Sequence, residues 1–328
     1  MPNRIVVTEL GGPEVLKYEK YKLPNKLPNN QVRIKQTSIG LNYIDTYHRT
    51  GIYPLPLKLP FCIGLEAAGS IIEVGDDVKN LKIGDRVAYS FSPPLGAYCE
   101  IRDFDSDKLI KLPDYISNDD AASILLQGMT VEYLFERLYK IKKDELFLFH
   151  AAAGGVGLIA SQWARSNGAK MIGTVSTEEK ANLAKKNGCE YTINYKNDDV
   201  HQKVLEITKD NGVDVVYDGV GKDTFDISLK CLNFRGLMVS FGQSSGMVEN
   251  VNLHSTFNPK SLYYTRPTLM HYIKNREELE LSSNRLFKKI KNKEIKPNIY
   301  KKFKLSDAAD AHELIQSRKS SGSIILEP

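Results

Sequence analysis

The hydrophobic residues in the first third of the chain fall in short β-branched runs between turn signals. These runs predict strands over residues 4–8, 31–39, 67–74 and 86–90. Turn sequences such as Gly75-Asp76-Asp77 separate them. No helical pattern alternates with these strands, so we expect a β-rich region without a parallel sheet.

From about residue 120 the pattern changes to apolar runs alternating with segments of helical spacing. A helix is expected to begin at Ala121 after Asn118-Asp119-Asp120, with a second helix near residues 131–138. Beyond it we expect helices between most of the following strands, for example over 156–167 and 177–187. This alternation predicts βαβ units and a sheet buried on both faces. The predicted strands are 146–150, 170–175, 191–194, 213–217, 237–241 and 262–265.

The pattern after Pro267 is helical, with a short helix over 307–316 and a last strand over 323–326. No helix follows that strand. We therefore expect it to return to the sheet of the first domain.

A glycine motif follows the strand at 146–150. Residues 152–157 read Ala-Ala-Gly-Gly-Val-Gly, which matches the dinucleotide fingerprint G-x-G-x-x-G except at Ala152. Gly154 is expected to let the backbone approach a pyrophosphate, and Gly157 to let the helix pack closely on the strand. A slightly wider turn would tolerate Ala152. The motif predicts dinucleotide binding; the alternative is a glycine-rich turn that serves packing alone.

The end of the next strand favours NADP(H) over NAD(H). The fingerprint expects an acidic residue there that binds the ribose 2′-OH. This strand instead runs into Ser176 and Thr177, and Lys180 follows within one helical turn. Hydroxyl groups and a lysine suit a 2′-phosphate, which a carboxylate would repel.

Composition and charge narrow the functional class. The chain has 328 residues, 41% hydrophobic and 26% charged, as expected for about two globular domains. No apolar run is long enough to span a membrane, and the first residues show no signal-peptide core, so we expect a cytoplasmic protein. The net charge is +5, and basic residues are concentrated over 285–304. We interpret this stretch as the solvated face of a helix and its following loop, rather than as a nucleic-acid patch.

Eight segments along the chain are similar to those of a known family. They are "GGPEVL" (11–16), "IGLNYIDTYHRTGIYP" (39–54), "GLEAAGSI" (64–71), "GDRVAY" (84–89), "LLQGMTVEYL" (125–134), "LFHAAAGGVGLIASQWA" (148–164), "GLMVSFGQSSG" (236–246) and "LYYTRPTL" (262–269). Through these segments the chain resembles, over nearly its full length, the zinc-free medium-chain dehydrogenases/reductases, and within them the bacterial NADPH:quinone oxidoreductases of the zeta-crystallin-like branch. The resemblance implies an α/β protein with a GroES-like, β-rich catalytic domain over 1–123 and 267–328. It also implies a Rossmann domain over 124–266, with a doubly wound parallel sheet that binds NADP(H).

The resemblance also implies cofactor contacts at matching positions. The alternatives are turn formation for Asn42 and Asp45, a strand aromatic for Tyr195, and a surface charge for Arg318. The implied contacts are Asn42 and Asp45 near the nicotinamide; Thr130 in the "QGMT" segment; Ala153, Gly154, Gly155 and Val156 at the pyrophosphate; Lys180, Tyr195 and Arg318 at the 2′-phosphate; Gly219, where relatives often have Ser; Phe241, Gly242, Gln243 and Ser244 on the nicotinamide side; and Thr265, Arg266 and Pro267 in the same cleft.

No metal site is predicted. Zinc alcohol dehydrogenases of this superfamily place a cysteine ligand near the position of Asn42 and a histidine ligand at the position of Leu65. The four cysteines here are dispersed and form no CxxC pair. Without a metal, hydride transfer from NADPH to a quinone fits best, because the product is an aromatic hydroquinone. Tyr47 and Tyr53 are candidates to line the acceptor site; simple packing is the alternative for each.

Two other functions stay open. The same fold and cofactor would serve reduction of activated C=C bonds in enones or 2-alkenals. A non-enzymatic protein that binds NADPH and RNA is the third reading, supported only by the basic stretch. The resemblance further implies a homodimer, paired through the sheet edge around residues 261–265.

Overall fold

The structure, a computed structural model, describes residues 1–53, 57–91 and 95–328. The chain divides into two compact units. Unit 1 comprises Met1–Met129, Ile273–Lys291 and Pro297–Pro328, and unit 2 comprises Thr130–Tyr272 and Asn292–Lys296. The predicted domain boundaries, after residues 123 and 266, lie a few residues before Thr130 and Ile273, where the units change in the structure. The roles assigned to the two domains stay predictions.

The elements are numbered in chain order. The strands are β1 (Asn3–Val7), β2 (Leu16–Lys20), β3 (Gln31–Leu41), β4 (Phe61–Cys62), β5 (Glu66–Val74), β6 (Arg86–Ser90), β7 (Ile101–Asp105), β8 (Ile110–Lys111), β9 (Leu146–Phe149), β10 (Lys170–Val175), β11 (Tyr191–Asn194), β12 (Val213–Asp218), β13 (Leu232–Ser240), β14 (Tyr263–Thr265), β15 (Ile299–Lys304) and β16 (Ser323–Glu327). The helices are α1 (Tyr43–Thr50), α2 (Asn118–Glu132), α3 (Gly155–Asn167), α4 (Glu178–Lys186), α5 (Val200–Thr208), α6 (Phe225–Cys231), α7 (Leu253–Phe257), α8 (Leu269–Tyr272), α9 (Arg276–Lys291) and α10 (Ala308–Gln316).

Unit 1 is built on two sheets. In the described part of this unit, one sheet has the order β2-β1-β4 and the other β15-β16-β3-β5-β6-β8, with β7 also paired to β3. The β3–β5, β5–β6 and β3–β7 pairs are antiparallel. The last strand, β16, pairs antiparallel with β3. The prediction that the final strand returns to the first domain's sheet is therefore confirmed.

Unit 2 carries a parallel sheet of order β11-β10-β9-β12-β13-β14. Numbered within the unit this order is 3-2-1-4-5-6, the doubly wound arrangement whose strand order reverses between its first and fourth strands. That switch point lies between β9 and β12. Their inner residues, such as Leu148 and Val216, are fully buried, as expected for a sheet covered on both faces.

The second helical element expected near residues 131–138 is present as a π-helical segment, Tyr133–Leu138, which continues α2 directly. One other predicted helical region differs from the structure. The basic stretch 285–304 is only partly a helix and loop. Its second half contains the strand β15, whose lysines lie on an exposed sheet edge, where charge discourages pairing with another chain.

The sequence patterns did not predict several elements of the structure, and among these α1 is the most important for the site. Its buried residues include polar and charged side chains such as Asp45, His48 and Arg49. A search for periodic apolar residues finds no helix in such a segment.

No helix within the three described ranges is long and apolar enough to cross a membrane.

Candidate functional site

The glycine motif forms a tight turn between β9 and α3. Ala151 takes the left-handed backbone conformation with a φ of 58°, and its carbonyl oxygen accepts a hydrogen bond from the Gly154 N–H at 2.9 Å. Gly154 caps α3, which begins at the next residue. A Cβ added to Gly157 would lie 2.4 Å from the Ala151 carbonyl oxygen, so helix and turn approach too closely for any side chain there. The free N–H groups of the first helical turn remain available to an anion.

Ala152 is tolerated at the first fingerprint position for a different reason from the one expected. The left-handed residue of the turn is Ala151, and Ala152 has no positive φ. Ala152 is buried, and its N–H donates to the Thr174 carbonyl oxygen at 3.0 Å. A small residue is therefore sufficient at position 152, and no widening of the turn is needed to explain it.

The predicted 2′-phosphate residues of unit 2 gather at the carboxyl ends of β10 and β11. These ends are in register, with Val175 beside Asn194. The Thr177 hydroxyl accepts a hydrogen bond from the Lys180 N–H at 3.3 Å and so caps α4. Burial, together with the nearby charge of Lys196, lowers the pKa of Lys180. Ser176 is half-buried and Tyr195 is exposed at the same edge.

Lys196 is a residue that sequence reasoning missed. It follows Tyr195 directly after β11, and only the pairing of β11 with β10 brings it near Lys180. Two lysines at one sheet edge repel each other, which is an arrangement that a bound anion would relieve.

A second loop lies at the carboxyl end of β12. The Asp218 carboxylate accepts hydrogen bonds from the N–H groups of Val220 at 2.7 Å and Gly221 at 3.0 Å. A Cβ on Gly219 would lie 2.9 Å from the Phe241 ring. The serine that relatives often have at position 219 has no room beneath this ring, so Gly219 offers only its backbone.

Gln243 and Ser244 lie in the loop that follows β13. The Ser244 N–H donates to the Gly219 carbonyl oxygen at 3.3 Å and so joins this loop to the one after β12. Arg266 donates to the Ser240 carbonyl oxygen at 2.8 Å and to the Gln243 side chain at 3.0 Å. Arg266 therefore braces the loop after β13. Three further predicted residues are Thr130, buried near the end of α2, Thr265, the last residue of β14, and Pro267, half-buried just after it.

In unit 1, Asn42 lies at the start of α1 in a buried polar cluster. Its amide donates to Glu66 Oε2 at 2.7 Å, and Glu66 Oε1 accepts from the Leu126 N–H at 2.6 Å. Both side chains are buried. Burial raises the pKa of Glu66 to about 8. Glu66 was missed as a site residue, although it stands next to Leu65 in the segment that resembles a zinc-ligand motif.

Asp45 is fully buried with one oxygen engaged. Its Oδ2 accepts from the Asn42 N–H and from the Tyr98 hydroxyl, each at 3.0 Å. Its Oδ1 has no hydrogen-bond partner among the described residues. Burial raises the pKa of Asp45 to about 7, against the opposing effect of these two hydrogen bonds. The alternative role for Asn42 and Asp45, turn formation, corresponds in the structure to the start of α1. Asn42 precedes the first residue of this helix, and Asp45 lies in its first turn.

A directed chain of hydrogen bonds ends at Asp45. Arg49, which has only donors, lies 3.0 Å from His312 Nδ1, so that nitrogen accepts. His312 Nε2 then carries the ring proton and faces the Tyr98 hydroxyl at 3.1 Å. Burial and the Arg49 charge lower the pKa of His312 to about 3. No sequence signal links these residues, because they are far apart along the chain.

The acceptor-site candidates differ in exposure. Tyr47 is buried, with its ring against Tyr43 at 5.5 Å between centroids. Tyr53 is 41% exposed, with its ring edge toward His48. Arg318 belongs to unit 1, where its charge lowers the pKa of Tyr43 against the larger effect of burial, which raises it. The cofactor and substrate roles of these residues stay predictions.

Within the described residues, no group of three or more His, Cys, Asp and Glu side chains is placed to hold a metal ion. The four cysteines are unpaired. Burial raises the pKa of each thiol, to about 11 for Cys99, so none is an activated thiolate.

Two family models match the chain. The "Alcohol dehydrogenase GroES-like domain" matches residues 28–134. The "Zinc-binding dehydrogenase" model matches residues 155–287.

Relatives match over the full length. Quinone oxidoreductase 1 of Escherichia coli is 49% identical over 330 residues, covering 100% of both chains. A 2-haloacrylate reductase of a Burkholderia species is 44% identical, covering 98% of each chain. The crystal structure of Escherichia coli quinone oxidoreductase complexed with NADPH superposes with a TM-score of 0.95, at 49% identity over 99% of this chain and 100% of that one.

The two units and their matches define a zinc-type alcohol dehydrogenase architecture, that of the medium-chain dehydrogenases/reductases. Within that class, the chain belongs to the quinone oxidoreductase family.

Proposed function

We propose that this protein reduces quinones with NADPH, without a metal ion. The observation that carries the proposal is the combination, in unit 2, of the 3-2-1-4-5-6 sheet with the Ala151–Gly157 turn and the paired lysines at the β10 and β11 ends. The full-length likeness to quinone oxidoreductases supports the substrate class. We also propose that the protein is cytoplasmic, as expected from its sequence.

The residues of unit 2 fit NADP(H). Gly154 caps α3 without a side-chain hydrogen bond, so the N–H groups of the first helical turn are available to a pyrophosphate. Lys180 and Lys196 supply positive charge beside the hydroxyl groups of Ser176 and Thr177, which suits a 2′-phosphate. Arg318 is proposed as a further 2′-phosphate ligand.

When bound, NADPH supplies the hydride, and one proton completes reduction of the quinone to the hydroquinone. The protein's contribution is to orient the reactants and exclude water. We propose that Asn42 and Asp45 face the nicotinamide. Asn42 is held by Glu66, and the unpartnered Asp45 Oδ1 can accept a hydrogen bond from an amide. Tyr47 and Tyr53 are proposed to line the acceptor pocket.

The first test measures initial rates of NADPH oxidation with 1,4-benzoquinone, in parallel with NADH, in EDTA-treated and untreated protein. The proposal expects fast turnover with NADPH, slow turnover with NADH, and no effect of EDTA. Equal rates with the two nicotinamides would contradict the role of the lysine pair. Absence of quinone turnover, with NADPH binding intact, would contradict the substrate class.

Reduction of an activated C=C bond is the second candidate, favoured by the 44% identity to a 2-haloacrylate reductase. Hydride addition to the β-carbon of such a substrate uses the same cofactor and needs one further proton at the α-carbon. Comparing kcat/KM for 1,4-benzoquinone, an enone and 2-chloroacrylate at one NADPH concentration separates the two functions. A higher value for either alkene would replace quinone reduction as the main activity.

We also propose a homodimer paired along β14, the edge strand of the unit 2 sheet. Tyr263 and Tyr264 on this strand are 62% and 42% exposed. An exposed, aromatic edge strand is usually covered, and a two-fold partner would cover it.

A further inference from the structure

His150 lies at the switch point of the unit 2 sheet. It follows β9 directly, and its N–H donates to the Tyr217 carbonyl oxygen of β12 at 3.0 Å. The side chain is 2% exposed, and both ring nitrogens are engaged. Nδ1 lies 3.1 Å from Thr174 Oγ1, and Nε2 lies 2.9 Å from Ser228 Oγ.

The Thr174 side of the imidazole leads to the pyrophosphate turn. Thr174 Oγ1 accepts a hydrogen bond from the Ala151 N–H at 3.2 Å, and the Thr174 carbonyl oxygen accepts from the Ala152 N–H at 3.0 Å. Thr174 thus holds the two residues that begin the turn, including the strained left-handed Ala151. Such a conformation persists only where its surroundings fix it.

The Ser228 side leads to the second loop. Ser228 Oγ lies 3.0 Å from Asp218 Oδ2, which also accepts from the Thr224 hydroxyl at 2.7 Å. The other oxygen of Asp218 holds the N–H groups of Val220 and Gly221. The imidazole therefore links the turn that follows β9 to the loop that follows β12.

The hydrogen-bond directions are mutually consistent for a neutral imidazole. Thr174 Oγ1 accepts from Ala151 and donates its own proton to His150 Nδ1, so the ring proton is on Nε2 and points to Ser228 Oγ. The Ser228 proton has two acceptors, Asp218 Oδ2 at 3.0 Å and the Thr224 carbonyl oxygen at 2.7 Å, and both lie at or after the end of β12. Burial lowers the pKa of His150, and the Asp218 charge opposes this effect only in part.

We propose that His150 is a positioning residue that couples the pyrophosphate turn to the Asp218 loop, so that the two loops bind the cofactor as one unit. The proposal rests on the proposed binding of NADPH. It assigns no chemical step to His150, which lies behind both loops.

The test is a double-mutant cycle on the two hydroxyls that flank the imidazole, with the dissociation constant of NADPH read by nucleotide fluorescence. Thr174→Val and Ser228→Ala are each expected to raise this constant by roughly five- to tenfold. The double variant is expected to raise it by no more than the larger single effect, because either substitution already breaks the link. Thr174→Ser, which keeps the hydroxyl, should retain the wild-type constant.

Thr208→Val is the matched control for Thr174→Val. The Thr208 hydroxyl is also buried in unit 2 and also accepts a loop N–H, that of Gly212, at 2.9 Å. Its loss should lower the melting temperature without changing NADPH affinity. Melting temperatures of all variants, measured without cofactor, show which are folded. If Thr174→Val fails to fold, Ser228→Ala alone tests the proposal, because unchanged NADPH affinity in that variant overturns the role of His150.

The outcomes separate the two proposals. A wild-type protein that does not bind NADPH contradicts the proposed function itself. Normal wild-type binding with unchanged affinity in Thr174→Val and Ser228→Ala overturns the role of His150. Multiplicative effects in the double variant also overturn it, because the two loops would then act independently.

Discussion

At the residue scale, buried ionisable groups predict a pH signature. Burial raises the pKa of Asp45 from 3.8 to about 7. The folded state then binds this proton more tightly than the unfolded chain does. The contribution of Asp45 to stability is therefore full below about pH 4 and is lost as the pH rises through 7.

Asp45→Asn removes that dependence. The free energy of unfolding of the variant, minus that of the wild type, should rise by up to roughly 4 kcal/mol between about pH 4 and pH 7, then level off. Urea denaturation across that range measures it. Glu66→Gln, at a carboxyl whose pKa is about 8, should show the same sign over a window reaching pH 8. A difference that does not vary with pH would contradict the buried carboxyl states.

Position 219 offers a second residue-scale prediction. Gly219→Ser introduces a Cβ 2.9 Å from the Phe241 ring, and is expected to destabilise the fold by about 1 kcal/mol. Gly219→Ala should have the same effect, since the Cβ is responsible. In a Phe241→Leu background the loss should shrink, as chemical denaturation would show. An unchanged loss in that background would exclude the ring as the cause.

At the element scale, the adjacent ends of β10 and β11 predict cofactor preference. Lys180→Ala should raise the dissociation constant of NADPH about tenfold, because a charge-assisted contact to phosphate is lost. The constant for NADH should stay unchanged. Lys186→Ala, in the last turn of the same helix, is the control for a general change of charge. Equal weakening of NADH and NADPH would instead indicate damage to α4.

Elements with apolar periodicity were predictable, and elements defined by polar burial were not. The strands β10 and β11 were predicted to the residue, because each is a short segment with β-branched residues between turns. The sequence patterns missed α1, whose inward face carries Asp45, His48 and Arg49, and β15, where lysines alternate poorly with apolar residues. The second helical element expected near residue 131 is present, but its π-helical form could not be predicted from the spacing of apolar residues.

The residues of the candidate site also fall into two groups, those that a local pattern indicates and those that only the fold brings together. Residues in a local motif, such as Gly154 and Lys180, could be proposed from spacing alone, and their cofactor roles stay predictions. Tyr98, His312 and Lys196 could not, because only strand pairing and packing bring them to their partners. Their roles depend on neighbours distant in the chain, which no local pattern encodes.

At the scale of the whole molecule, the exposed edge of the unit 2 sheet predicts the assembly state. Sedimentation velocity should show a dimer for the wild type and a monomer for Tyr263→Lys, which places a charge on β14. Tyr300→Lys, at a similarly exposed tyrosine on β15, should remain dimeric. A monomeric wild type would contradict pairing along β14.

The pairing of β16 with β3 has a consequence for biosynthesis. Ile324–Leu326 lie beside Ile39–Leu41, so unit 1 needs one strand translated before unit 2 and another translated after it. Almost all of unit 2, by contrast, is the single segment Thr130–Tyr272. The nascent chain can therefore complete most of the unit 2 sheet on the ribosome while the edge of β3 is still unpaired. During that interval the open edge is where chaperone protection is needed.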